Sequence, residues 1–301
     1  MNFTRQILGS LLFAGSLALV ACGDPVSSAA PLVTGERNIT AIAVDDFFVY
    51  WARQDGVVKR VSRDGGKPTT LVSNDQPSDT IAVDDTHVYW SAKDGAIGRT
   101  AKEGGTAEPL AQAGHASSLA IDPTHIYFTT AEGIVQQRSK QDGSTADLAP
   151  TRKVSSQLAL QGTTLLWADQ IKSSVNETLT NSGATDALVA AQSAPDRVAI
   201  SSSNIYWSNT GDNTVGVARR DGGEVRLIPA LSPSFTSALM GDDAFVYFAD
   251  FDGGVNVASV HGGEAMQLAQ GPKGKVVLAM DSTSIYWAHS NGGTIFTAPR
   301  Q

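Results

Sequence analysis

The sequence predicts an all-β fold: a seven-bladed β-propeller of four-stranded antiparallel blades, its ring closed by the N-terminal strand pairing into the last blade. Three observations predict it. A unit of about 39 residues recurs seven times along a chain of 301. Each unit divides into short apolar strands separated by Asp-Gly and Gly-Gly turns. No segment beyond the N-terminus carries a sustained apolar period of 3.6 residues. Four antiparallel strands in about 40 residues match a propeller blade.

The unit is clearest at Ile81-Ala82-Val83-Asp84-Asp85-Thr86-His87-Val88-Tyr89-Trp90. It recurs at Ile42 to Trp51, Leu119 to Phe128, Val198 to Trp207, Leu239 to Phe248 and Leu278 to Trp287, with a degenerate copy from Leu158 to Trp167. One column reads Tyr50, Tyr89, Tyr127, Leu166, Tyr206, Tyr247, Tyr286 and holds all six tyrosines. The next reads Trp51, Trp90, Phe128, Trp167, Trp207, Phe248, Trp287 and holds all five tryptophans. Steps between the tyrosine positions are 39, 38, 39, 40, 41 and 39.

Within the second copy, Thr80 to Val83 is a strand of small and branched residues, and Asp84-Asp85 turns the chain. Val88 to Ser91 is an aromatic strand, and Lys93-Asp94-Gly95 a hairpin. Ile97 to Ala101 and Ala107 to Ala111 flank a second hairpin at Glu103-Gly104-Gly105. Such turns need positive φ, which glycine adopts freely. The first strand is expected innermost, where blades crowd. That fits its column Ala43, Ala82, Ala120, Ala159, Ala199, Met240, Ala279. Farther out, Tyr and Trp or Phe on opposite faces fill the wedge between sheets. The seventh unit lacks a fourth strand, and Pro31-Leu32-Val33-Thr34 supplies it. Closure leaves no exposed sheet edge at the seam.

The pattern Leu-Ala-Val-Asp before Ile-Tyr-Trp, with Asp-Gly turns after, resembles the YWTD-type propellers of lipoprotein receptors. It is also similar to bacterial propeller lipoproteins of unknown function. The resemblance covers residues 31–301. The receptor propellers have six blades against seven units here, and only Ala168-Asp169 and Ala249-Asp250 keep the aspartate after the aromatic pair.

The N-terminus reads as an address. Arg5 precedes the apolar run Ile7 to Val20, too short for a spanning helix and right for a secretory signal. Leu19-Val20-Ala21-Cys22-Gly23 resembles the bacterial lipobox, which implies a diacylglycerol on the Cys22 thiol, cleavage before Cys22 and acylation (palmitate) of the new N-terminus. The domains expected are a lipoprotein signal peptide (1–21), a lipidated tether (22–30) and the propeller (31–301). Gly23, rather than aspartate, after the cysteine implies outer-membrane sorting. The lone cysteine excludes a disulfide framework, and a net charge of −8 argues against nucleic acid as a partner.

No catalytic constellation emerges. There is no Gly-x-Ser-x-Gly elbow, phosphate loop or dinucleotide fingerprint. His87 and His125 share a repeat column with Phe48 and Ser284, a structural position. His261 sits in a hairpin, and His289 follows the last aromatic strand. Asp250-Phe251-Asp252-Gly253 and Gly211-Asp212-Asn213 supply too few oxygens for calcium. The doublets Asp45-Asp46, Asp84-Asp85 and Asp242-Asp243 are expected to hydrogen-bond within their turns. No cofactor, metal ligand or catalytic residue is expected.

The repeats diverge at the rim of the channel, which carries Arg37, Asp79 and Lys273. The candidate binding residues there are His115, Arg152, Lys153, Asp196, Arg197, Phe235 and Lys275. The expected function is a non-catalytic, lipid-anchored binding or scaffolding module of the cell envelope. Its expected partners are the membrane, through the lipid, and another envelope protein or a glycan. The alternatives are a lyase or lactone hydrolase, metal-dependent or not, with its site at the channel mouth, and a glycan or small-molecule sensor.

Overall fold

The computed structural model describes residues 29–73, 78–112, 116, 118–150 and 157–301. The signal, Cys22 and most of the tether lie outside the described residues, as do His115, Arg152 and Lys153. The described residues form 28 strands in seven four-stranded antiparallel sheets. The inner strands of blades 1 to 7 are Ile39–Val44, Ser78–Val83, Leu119–Ile121, Ala159–Gln161, Pro195–Ile200, Thr236–Gly241 and Val276–Met280. They pack side by side around the axis, blade 7 returning to blade 1. The predicted closure is present: Ala30–Val33 pairs with Ile295–Pro299 as the outer strand of blade 7.

The aromatic columns build seven cores, one between each pair of neighbouring blades. Tyr50 shares a core with Trp90, Tyr89 with Phe128, Tyr127 with Trp167, and Leu166 with Trp207. Tyr206 then meets Phe248, Tyr247 meets Trp287, and Tyr286 closes the ring on Trp51. The two ring columns point to opposite faces of one strand, so each blade gives one ring to each neighbour. Burying such a ring contributes about 3 kcal/mol.

The column of acids that opens the turn between first and second strands does more than shape that turn. Asp84 Oδ1 accepts the backbone N–H of Thr86 at 2.9 Å and of His87 at 2.8 Å, as expected of a turn aspartate. Its Oδ2 accepts the Tyr89 hydroxyl at 2.7 Å, so the buried phenol of the core is satisfied. A cation from the following blade completes the joint. Lys102 pairs with Asp45 at 2.6 Å, Lys140 with Asp84 at 2.7 Å and Arg63 with Asp281 at 2.7 Å. Arg300 pairs likewise with Asp242. Where the acceptor is Gln161, Arg220 Nη1 reaches it at 2.6 Å. Where the acid is replaced by Ser201, the cation column holds Val260, packed in the same core as Tyr206. These clasps lie on the lower face, where first strands end. Chain entry to each first strand is on the upper face.

Candidate binding site at the channel mouth

The upper end of each inner strand sets the chemistry of the channel. In blades 1, 2, 5 and 6 the pairing of first and second strands slips by one residue, between Ile39 and Ala41, Ser78 and Thr80, Pro195 and Val198, and Thr236 and Ala238. A bulge leaves an extra residue unpaired and re-aims its side chain. The segments so displaced carry Thr40, Asp79, Arg197 and Ser237, and all four line a cavity of about 450 Å³ at the channel mouth. Blades 3, 4 and 7 add Ser118, Gln157 and Lys275, so every blade gives a polar side chain. Farther along the same strands the lining turns apolar, with Ile42, Ile81, Leu119, Leu158, Leu239 and Leu278. Gln157 Nε2 donates to Leu239 O at 3.3 Å and so bridges blades 4 and 6.

Two cations dominate this lining. Arg197 is 18% exposed, and its Nε lies 3.3 Å from Asp196 Oδ2. The contact is an ion pair without a hydrogen bond, and the buried Nε is left without a hydrogen-bond partner. Burial pushes the Arg197 pKa down, and Asp196 partly offsets it. Lys275 is half-buried and donates to Thr40 O at 2.8 Å. Burial lowers its pKa, and the Arg197 charge lowers it further, while Asp79 acts the other way and Lys93 adds to the lowering.

Of the seven candidates read from sequence, Arg197 and Lys275 line the cavity. Asp196 stands behind Arg197 and accepts from Gln170 Nε2 at 3.4 Å. Phe235 is 55% exposed on the outer rim, joined to Phe251 through a backbone bond of 3.2 Å, and does not line the cavity. The bulges were not readable in advance, since a one-residue slip leaves no mark in a repeat whose step already varies.

Glu36 was also missed. It is 6% exposed and accepts from Lys59 Nζ at 2.7 Å, Arg53 Nη1 at 3.3 Å and Trp51 Nε1 at 3.3 Å. Its backbone N–H donates to Gly293 O at 2.9 Å, which ties blade 1 to blade 7 beside the closing strand. This carboxylate is a seam fixture rather than a site residue.

The remaining chemical candidates serve the frame. His87 and His125 contact the hydroxyls of Thr86 and Thr124 at 2.7 and 2.8 Å. His289 is buried with Nε2 3.0 Å from Gly253 O. Asp250 caps its own hairpin through Gly254 N–H at 3.0 Å, whereas Asp252 turns to Ser232, Ser234 and Lys273. The two carboxylates therefore do not converge on one point. Asp169, the other aspartate of the YWTD position, caps Ile171 and Lys172 N–H groups. Among the described residues no three His, Cys, Asp or Glu side chains cluster as metal ligands.

No family model matches the chain. No curated protein matches it either. Solved structures do. Virginiamycin B lyase from Staphylococcus aureus aligns over 91% of this chain and 99% of its own, at 15% identity and a TM-score of 0.76. The WD40 β-propeller domain of Doa1 aligns over 93% and 97%, at 14% identity and 0.74. BamB from Moraxella catarrhalis aligns over 86% and 85%, at 15% identity and 0.61. At these identities the likeness establishes the fold: the chain is a seven-bladed β-propeller.

Proposed function

We propose that this chain is a non-catalytic binding module of the bacterial cell envelope, a YWTD-like propeller lipoprotein anchored through Cys22, with its ligand held at the channel mouth. Gly23 favours the outer membrane. The observation that carries the reading is the placement of Ala30. It pairs with Thr297 and lines a cavity with Asp46, Phe47 and Asp64, residues of the lower turns of blade 1. That face is opposite the mouth. Seven residues lie between Cys22 and Ala30, so the eight Cα steps reach at most about 29 Å. A lipid on Cys22 draws the lower face toward the bilayer and leaves the mouth open to water. Several acyl chains hold such an anchor stably.

Cys22 is the sole cysteine, so once it is acylated an introduced thiol is the only one free for a fluorophore. In lipid vesicles carrying a headgroup quencher, a label at Phe47→Cys should dim and one at Phe235→Cys should not. Cys22→Ala should release the chain from the membrane fraction. Stronger quenching at Phe235→Cys, or unaltered membrane association of Cys22→Ala, would overturn the reading.

A second reading is an enzyme of the lyase or lactone-hydrolase type with its site at the same mouth. It draws on Lys275, whose ammonium is held below its ordinary pKa by burial and by Arg197, as in lysines that serve as bases. Metal bound to the purified protein, or turnover lost in Lys275→Met with the fold intact, would favour it.

A further inference from the structure

We infer that the channel mouth is a site for a small anion, a carboxylate or phosphate group received jointly by the Arg197 guanidinium and the Lys275 ammonium. The inference rests on the binding-module reading and names the ligand chemistry. Arg197 and Lys275 enter from blades 5 and 7 and line one cavity. Its volume of about 450 Å³ lies within the range of small-molecule sites.

Each cation keeps hydrogen-bond donors that the frame does not use. In the lower clasps each cation meets a carboxylate or an amide, as in Lys140 with Asp84 and Arg220 with Gln161. At the mouth, Asp196 stands beside Arg197 without completing a hydrogen bond to it. Among the described residues the two Nη groups of Arg197 make no hydrogen bond. Lys275 uses one of its three donors, on Thr40 O. A guanidinium with a buried, unpartnered N–H is costly to keep. An acceptor that enters the cavity recovers that cost, and guanidinium forks match the oxygens of carboxylates and phosphates.

The Arg197 charge also disfavours the Lys275 ammonium, and an anion received by both offsets that penalty. Asp79 lines the same cavity, and Lys93 lies near enough to act on Lys275. The side chains of Thr40, Ser118 and Ser237 offer hydroxyls around the same opening. The apolar lining beyond them suits the uncharged body of a ligand whose anionic end stays at the rim.

The test is calorimetric titration of the full-length chain with sodium phosphate and, separately, sodium acetate, at constant ionic strength. Heat from phosphate alone assigns a phosphoryl ligand, and heat from acetate alone a carboxylate; heat from both supports the shared chemistry. Arg197→Gln and Lys275→Gln should each weaken binding by about tenfold with the melting temperature held. Should Arg197→Gln fail to fold, Arg197→Lys supplies the comparison, with partial loss expected because a point charge lacks the fork. No heat from either anion, or wild-type affinity in folded variants, overturns the site. A neutral oligosaccharide titrated in parallel separates the two ideas: heat from it and none from the anions removes the anion site and leaves the binding module standing.

Discussion

Lys140 Nζ, from blade 3, donates to Asp84 Oδ2, in blade 2, at 2.7 Å. The same oxygen accepts the Tyr89 hydroxyl, and the Lys140 ammonium lies 4.6 Å above the Tyr89 ring. One carboxylate thus orders a turn, satisfies a buried phenol and holds the next blade.

Removing it should cost more than removing its partner. Asp84→Ala strips acceptors from two backbone N–H groups, a phenol and an ammonium, and should lose about 3 kcal/mol. Lys140→Met keeps the aliphatic packing and gives up one partly exposed ion pair, for about 1 kcal/mol. Urea unfolding of both variants and of the double variant measures this directly. Additive losses would mean that the contact across blades carries no coupling.

The acid column sets the pH window of the ring. Asp45, Asp84, Asp122 and Asp281 are half-buried, which opposes ionisation. Hydrogen bonds from cations, backbone N–H groups and tyrosine hydroxyls outweigh this and hold their pKa values below the ordinary 3.8. A lowered carboxylate pKa stabilises the fold above the unfolded value, and that stability is lost as pH falls through the folded one. Tyr50, Tyr89 and Tyr127 shift the opposite way, raised above 10.0 by burial and by their aspartates. Their contribution is whole below pH 10.0 and is lost as pH rises toward the folded value. Melting temperature should therefore fall on both sides of a broad plateau, below about pH 4 and above about pH 10. Replacing Tyr89 by Phe should flatten part of the alkaline limb; an unchanged limb would remove the tyrosines from the explanation.

Ring closure makes a third expectation. Ala30–Val33 is the strand that the N-terminal end of the chain adds to blade 7, and Glu36 binds the seam from within. Deleting residues 31–34 should lower the melting temperature sharply. Glu36→Ala should cost about 3 kcal/mol, because it strands Lys59 and an indole N–H around a buried gap and leaves Arg53 with Asp55 alone. Glu36→Gln should retain part of this. A melting curve unchanged by the deletion would mean that the ring holds without its clasp.

The blade count, the closing strand and the inter-blade aromatic wedges were legible because each is a periodic signal summed over seven copies. The clasp was half legible. The acid column was visible in Asp45, Asp84 and Asp242, but its partners Lys102, Lys140 and Arg300 sit in the preceding copy's space and not in its sequence. The mouth was least legible, since Thr40, Asp79, Arg197 and Ser237 are brought together by bulges that no repeat position announces. Loop placement alone put Phe235 beside Arg197, whereas the bulge turns Arg197 inward and Phe235 stays on the rim.

Close packing of the third strand gives the last prediction. Gly216 pairs across the sheet with Trp207, and the indole lies over it. A Cβ on Gly216 would stand 2.0 Å from Trp207 Cε2. The ring is fully buried and its Nε1 donates to Gln192 Oε1 at 2.8 Å, so it cannot swing aside without giving up that bond. Gly98 holds the same place under Trp90, with the nearest ring atom at 2.7 Å. Blade 1 carries Lys59 opposite Trp51, so glycine is demanded by the close approach of the ring in blades 2 and 5 and not by the repeat itself. Gly216→Ala should therefore lose about 2–3 kcal/mol and Gly98→Ala less. Trp207→Phe, which opens the space, should recover part of the loss in the Gly216→Ala background. Equal unfolding midpoints for Gly216→Ala and wild type would show that the sheet yields there at no cost.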